Sequence, residues 1–279
     1  MDSKTAMEKY KKLKDSDFID FKYRNYKDGV ETLSLSSWDE FLRAVTKFNN
    51  YPAYIWRGQR KEWTLKSSFD RGYFSDGLVS LFADREGILN ALLKKFKEKL
   101  NDLPQDMRKN DDDKVWAIGQ HYGLPTPLLD WTKNPYKAAY FAFYVNGNNE
   151  QKENRVIYAL NMAVKRRKKG TKPFVEFLDL AETCDDRQNK RLQSQEGKFT
   201  KSLNGIDIET NVLNYARRCE DDIIKNKRIL LAKILIPDTF RNTCLKSLET
   251  MEKKITYGTL FPDYAGAVEI CKIDLGLDN

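Results

Sequence analysis

The sequence predicts an α+β fold, and three observations carry that prediction. Apolar residues make up 41% of the 279 positions, enough for a substantial core. Two runs, RVIYALNM (155–162) and ILLAKILIP (229–237), have the length and the aliphatic, β-branched content of central strands. Helical patterns lie around them without a regular strand–helix–strand rhythm, which argues against a doubly wound sheet.

The elements follow in order. Residues 1–36 are polar and lysine-rich and read as an N-terminal arm, with 37–279 as the main domain. SWDEFLRAVTKF starts a helix: Ser37 can cap it, Glu40 stands three residues on, and Trp38, Phe41, Leu42, Val45 and Phe48 share a face. YPAYIWRGQ (51–59) reads as a short strand stopped at Gly58, and GILNALLKKFKEKL (87–100) as a helix with a basic outer face. DLPQDMRKNDDDK (102–114) is a charged loop, after which VWAIGQHYG returns to the core. In NPYKAAYFAFYV, Pro135 occupies a first helical turn, where its missing N–H costs nothing. The segment from Thr239 to Lys254 reads as helical, and AVEICKI (267–273) as a closing strand.

Charge and motif content exclude several function classes. Lys and Arg number 49 against 41 Asp and Glu, a net charge of +8 that favours anionic partners such as nucleic acid. A solvated positive face accounts for the same excess. No stretch approaches the roughly 20 apolar residues of a membrane span, and the N-terminus lacks a signal-peptide core, so a cytoplasmic setting is expected. Cys184, Cys219, Cys244 and Cys271 are scattered without a CxxC pair, and His121 is the single histidine, so no metal site is expected. Neither a P-loop, nor GxGxxG, nor GxSxG occurs.

Five places can carry chemistry. Arg57, at a strand end, can grip a phosphate bidentately or tie down a loop carboxylate such as Asp70 or Asp111 to Asp113. Gly58 beside it admits a ligand or a neighbouring backbone. His121, next to Tyr122 and Gly123, can bond backbone in a turn, hold a ribose hydroxyl or move a proton. In LLDWTKNP, Asp130 and Thr132 can each cap the helix beginning near Pro135, and Trp131 is either core or a stacking plate. RLQSQEGKFT (191–200) sets Gln193, Gln195 and Glu196 before Gly197, as a polar turn or as ligands to a ribose. The basic run KRRKKGTK (165–172) can contact phosphate or simply be solvated.

Together these segments resemble the FRG domain, a family named for a Phe-Arg-Gly-type motif that stands here as Trp56-Arg57-Gly58. QHYGLPT (120–126), LLDWT (128–132), Asn134-Pro135, and Ala139 with Phe141-Ala142 continue it. So do Arg191-Leu192, Gln195, Gly197, Phe199-Thr200, and LFPD (260–263) with Gly266, so that the resemblance covers roughly residues 35–270. The order of the motifs is also similar to that of Arg-Ser-Glu-type ADP-ribosyltransferases, with Thr132 where serine stands and the Gln-x-Glu spacing off by one. That likeness implies a split β-sheet core with NAD as substrate, and a toxin or anti-phage defence effector whose cleft an antitoxin protein covers. It further implies catalytic Arg57, Thr132 and Glu196, and a cofactor site of Arg57, Gly58, Gln59, His121, Tyr122, Asp130, Trp131 and Gln195. Arg57 anchors the diphosphate, His121 contacts ribose, Trp131 stacks on a ring and Thr132 orients Arg57 or ribose, while Glu269 and Asp263 rival Glu196 as the acid. The acceptor is a nucleic acid, RNA or DNA, or a protein. Two other readings remain: a non-catalytic nucleotide- or nucleic-acid-binding module, and metal-free nucleic-acid cleavage at His121.

Overall fold

Seven of the eight residues in NRVIYALN are buried, as expected of a strand covered on both faces. A computed structural model describes residues 14–49, 51, 53–73, 84–100, 111–144, 153–162, 175–180, 186–218 and 226–275. The strands are β1 (Arg24–Lys27), β2 (Val30–Ser34), β3 (Tyr54–Gln59), β4 (Leu128–Thr132), β5 (Asn154–Asn161), β6 (Val175–Leu178), β7 (Gly197–Ser202) and β8 (Leu231–Pro237). The helices are α1 (Trp38–Asn49), α2 (Ser68–Tyr73), α3 (Arg85–Leu100), α4 (Asp112–His121), α5 (Pro135–Phe143), α6 (Asp186–Ser194), α7 (Ile208–Arg218), α8 (Arg241–Glu249), α9 (Tyr257–Leu260) and α10 (Tyr264–Leu275).

The chain is α+β, with one eight-stranded sheet in the order β1-β2-β8-β5-β3-β4-β7-β6. Among the described residues only β2 and β8 run parallel; the other neighbours are antiparallel. Alternation along β5 divides the core. Ile157 and Ala159 face a cluster with Trp56, Ala138, Phe143 and helix α1, while Val156, Tyr158 and Leu160 face Ile55, Trp131 and helix α7. A third cluster packs α3 and α4 onto β4 and β7 through Leu93, Trp116, Leu128 and Phe199.

Ser37 Oγ accepts from Glu40 N at 3.2 Å and Glu40 Oε2 from Ser36 N at 2.6 Å, so α1 begins on a reciprocal cap close to the one its sequence suggests. From Lys14 to Ser36 the N-terminal stretch is laid into the sheet: a 3-10 turn, then a β1–β2 hairpin. That hairpin closes on Asp28 and Gly29, both at positive φ.

Three expectations change. AVEICKI is not a strand but part of α10. Asp263 Oδ1 accepts from Gly266 N at 2.8 Å and fixes a helical start, and a short apolar run cannot by itself distinguish the two states. Residues Asp112–Lys114 of the predicted loop form the first turn of α4, capped by Asp111. The segment from Thr239 to Lys254 is helical only through Glu249. Residues 165–172 lie outside the described residues.

Candidate functional site

The sheet has a seam. Strand β3 pairs with β5 along six registered residues, but with β4 only through Trp56 and Thr132. Where β3 and β4 diverge, a cavity of about 420 Å³ opens, within the size range of small-molecule sites. Its walls come from β3, β4, the C-terminal end of α4, the outer face of α5, the end of α6, and Phe261.

Arg57 lies at this seam, half-buried. Its Nη1 donates to the carbonyl of Asp130 at 2.8 Å. With its amide oriented to satisfy both ends, buried Gln59 accepts from Arg57 Nε at 3.2 Å and donates to Trp63 O at 2.9 Å. Among the described residues no carboxylate comes within ion-pair distance of this guanidinium. The loop acids the sequence offers are engaged elsewhere: Asp70 with Arg85 at 2.8 Å, Asp112 with Lys97, and Asp113 with Lys201 at 2.9 Å. Burial lowers the Arg57 pKa from its ordinary value; Asp130 and Tyr158 oppose that shift and Arg71 reinforces it.

Gly58 lines the cavity and also serves packing. A Cβ there meets Ala138 O at 1.8 Å, so only glycine lets α5 lie against β3. Thr132 and Asp130 do not cap α5. Asn134 does, its Oδ1 accepting from Tyr136 N at 2.9 Å and Lys137 N at 3.3 Å. The Thr132 hydroxyl donates to Gln195 O at 2.6 Å and accepts from Asn134 N at 3.1 Å, which clips the α6–β7 turn to the start of α5. Both of those bonds are internal, so orienting Arg57 falls to Gln59 and the Asp130 carbonyl. Trp131 is core: its ring is 3% exposed and its Nε1–H donates to Thr200 Oγ1 at 2.8 Å. A flat ligand ring cannot stack on it.

Asp130 turns the other way. Flanked by buried Leu129 and Trp131, its side chain is exposed on the cavity wall, and Oδ1 accepts from Gln120 Nε2 at 2.7 Å. Gln120 is in turn held by the Thr126 hydroxyl, which donates to Oε1. His121, at the end of α4, lines the rim. Burial lowers its pKa, Arg191 lowers it further and Asp263 opposes them, which favours the neutral ring. Tyr122 points away, 72% exposed, with its ring edge-on to His121 at 4.9 Å. Gln195 reaches the cavity and donates to Leu260 O at 3.1 Å.

Glu196 does not line the cavity. It sits at a φ of 50°, and its carboxylate accepts from Lys137 Nζ at 2.8 Å and Asn134 Nδ2 at 3.4 Å. Burial raises its pKa, but Lys137 and Asn134 outweigh that and leave it lowered. Asp263 pairs with Arg191 at 3.5 Å, and Glu269 with Lys272 at 3.2 Å on α10. Gln193 is exposed outside the cavity.

The structure adds groups that sequence reading did not assign. Arg191 enters the cavity, its guanidinium 4.5 Å from the centroid of the Phe261 ring. Phe141 and Tyr144 complete an aromatic wall, Phe141 meeting Phe261 edge-on at 6.0 Å. Their spacing on α5, opposite the buried alanines, is a signal the sequence carries, whereas nothing local says that Arg191 faces Arg57's cavity. Among the described residues no group of His, Cys, Asp and Glu is arranged to hold a metal ion, and no helix is long and apolar enough to cross a membrane.

No curated protein and no solved structure gives a significant match to the chain. The stretch that supplies Arg57, Gln120, His121, Asp130 and the aromatic face of α5, residues 52–155, matches the FRG domain family.

Proposed function

We propose that the seam cavity binds NAD and that the protein is an NAD-dependent ADP-ribosyltransferase. The observation that carries this reading is Arg57, a half-buried guanidinium on a cavity wall with hydrogen bonds to neutral oxygens and no carboxylate partner. A diphosphate supplies the missing charge in the fork geometry that guanidinium recognises. Beside it the cavity offers what the rest of such a ligand needs. Neutral His121 and the carboxamide of Gln195 meet ribose hydroxyls, and Phe141, Tyr144 and Phe261 form a wall for a flat ring. The divergence of β3 from β4 also agrees with the split core that the motif order implies.

In the transfer, the bond between C1′ of the ribose and the pyridinium nitrogen breaks, and its electron pair leaves with neutral nicotinamide. The acceptor nucleophile bonds to C1′ and gives up its proton. A nucleic-acid acceptor suits the net charge of +8, and a protein acceptor fits the same chemistry. Action as a toxin or anti-phage effector, in a cytoplasm where Cys244 and Cys271 stay as thiols, belongs to the same reading, with an antitoxin protein covering the cavity. One observation favours a second reading, a nucleotide-binding module without turnover: Glu196 is ion-paired with Lys137 away from the cavity. Incubation with NAD labelled in the ADP-ribose part, followed by separation of RNA, DNA and protein, tests both. Label on one fraction, lost in Arg57→Ala, is expected. Binding of NAD with neither nicotinamide release nor label selects the second reading.

A further inference from the structure

We propose that Asp130, and not Glu196, is the carboxylate that faces the reacting carbon in this cavity; the inference rests on the NAD reading above. The two acids differ in where the fold sends them. Asp130 is exposed on the cavity wall, on the strand whose carbonyl at the same residue holds Arg57 Nη1 at 2.8 Å. Glu196 is neutralised by Lys137 at 2.8 Å and does not line the cavity. Of the other candidates, Asp263 spends one oxygen on Gly266 N and faces Arg191 at 3.5 Å with the other, and Glu269 sits on α10 beside Lys272.

Asp130 is also built into place. Gln120 Nε2 donates to its Oδ1 at 2.7 Å, and the buried Thr126 hydroxyl fixes the Gln120 carboxamide from behind. That relay orients one carboxylate oxygen and leaves the other without a hydrogen-bond partner among the described residues. A carboxylate held by neutral donors, with the Arg57 charge spoken for by phosphate, keeps its negative charge for a cation that appears in the cavity. As nicotinamide departs with the bonding pair, positive charge develops at C1′ and the ring oxygen, and Asp130 opposes it. When the acceptor oxygen or nitrogen bonds to C1′, its proton passes to Asp130, which returns it to water. Gln120 is then a positioning residue that acts through Asp130.

The test compares Asp130→Asn, Glu196→Gln and Gln120→Leu in the full chain, reading NAD binding by calorimetry and nicotinamide release in parallel. Asp130→Asn keeps the shape and the bond to Gln120. It is expected to bind NAD within about threefold of wild type and to release nicotinamide ~100-fold more slowly or worse. Glu196→Gln is expected to release it at close to the wild-type rate. Gln120→Leu is expected to lower the release rate without a matching change in NAD binding, and Gln120→Glu is not expected to rescue it, whereas Gln120→Asn is expected to recover part of it. Wild-type rates in Asp130→Asn, or a Glu196→Gln variant that binds but does not turn over, overturn the assignment and leave the NAD reading standing. A wild-type protein that binds NAD but releases no nicotinamide overturns the assignment and the transferase reading together, and one that does not bind NAD overturns the cavity reading as well.

Discussion

Two arginines lie on adjacent antiparallel strands, at regions of the molecule that treat them in opposite ways. Arg155, near the start of β5, is 1% exposed, and its Nε meets Asp238 Oδ1 at 2.5 Å while Nη1 donates to Ala142 O at 3.3 Å. With Arg241, which donates to Phe143 O at 2.7 Å and Tyr144 O at 2.8 Å, it closes the C-terminal end of α5, where the helix dipole favours cations. Arg57, on β3, is held by a carbonyl and a carboxamide alone. The same residue type has an ion-pair partner in one region and none among the described residues in the other. Arg155 and Arg85 are structural arginines that find carboxylates, whereas Arg57 meets neutral oxygens on a cavity wall.

That contrast can be broken most directly by removing each cation in turn. Arg155→Ala leaves Asp238 buried without its partner, and urea unfolding is expected to show a loss of about 3–5 kcal/mol. Arg57→Ala orphans no carboxylate, so a change within about 1 kcal/mol is expected. Equal losses at the two sites would erase the distinction. The next largest effect concerns the packing under Arg57. Gly58→Ala forces α5 from β3 against a backbone oxygen, and a cost of about 1–3 kcal/mol is expected from thermal or urea melts. A neutral outcome there would mean that α5 can move and that the seam's width is not fixed by glycine.

The smallest effect is electrostatic. His121 is the single histidine, so one imidazole C–H resonance reports its titration, with a midpoint expected below the ordinary 6.5. Its folded pKa is lowered, so the unfolded chain binds more protons just below pH 6.5. Stability should therefore fall slightly as pH drops through that window and level off below the folded pKa. Arg191→Ala should raise the midpoint, because a like charge that discourages protonation is gone. No change in that variant would place Arg191 too far away to act on the cavity.

Much of the fold was legible because β3, β5, β8, α1 and α5 are each dictated by their own residues. β5 reads as a strand from its length and branched side chains, and α1 from its cap and apolar face. What was not legible depends on partners distant in sequence. α10 is a helix because Asp263 caps it, a choice a short, mostly apolar seven-residue run leaves open. At the site, Arg57, His121, Asp130 and Gln195 come together on the cavity wall, and their residue types suggested it. Trp131 and Thr132 carry equally suggestive types, but strand alternation sends Trp131 to the face opposite Asp130, and Thr132 spends its hydroxyl on the α6–β7 turn. Glu196 was out of reach of any local reading, since its partner Lys137 lies 59 positions away.

The order of the strands has a consequence for synthesis. β8 emerges late, yet it lies between β2 and β5, with Val30 paired to Leu231 and Val156 to Leu235. On the ribosome the β1–β2 hairpin and the β3–β5 pair can form early, but each keeps an open edge until residue 237 leaves the exit tunnel. The seam and its cavity are built from strands on only one side of that gap. The nascent chain thus carries Arg57 and Asp130 long before the sheet beneath them is complete, and the last strand acts as the keystone that makes the protein whole.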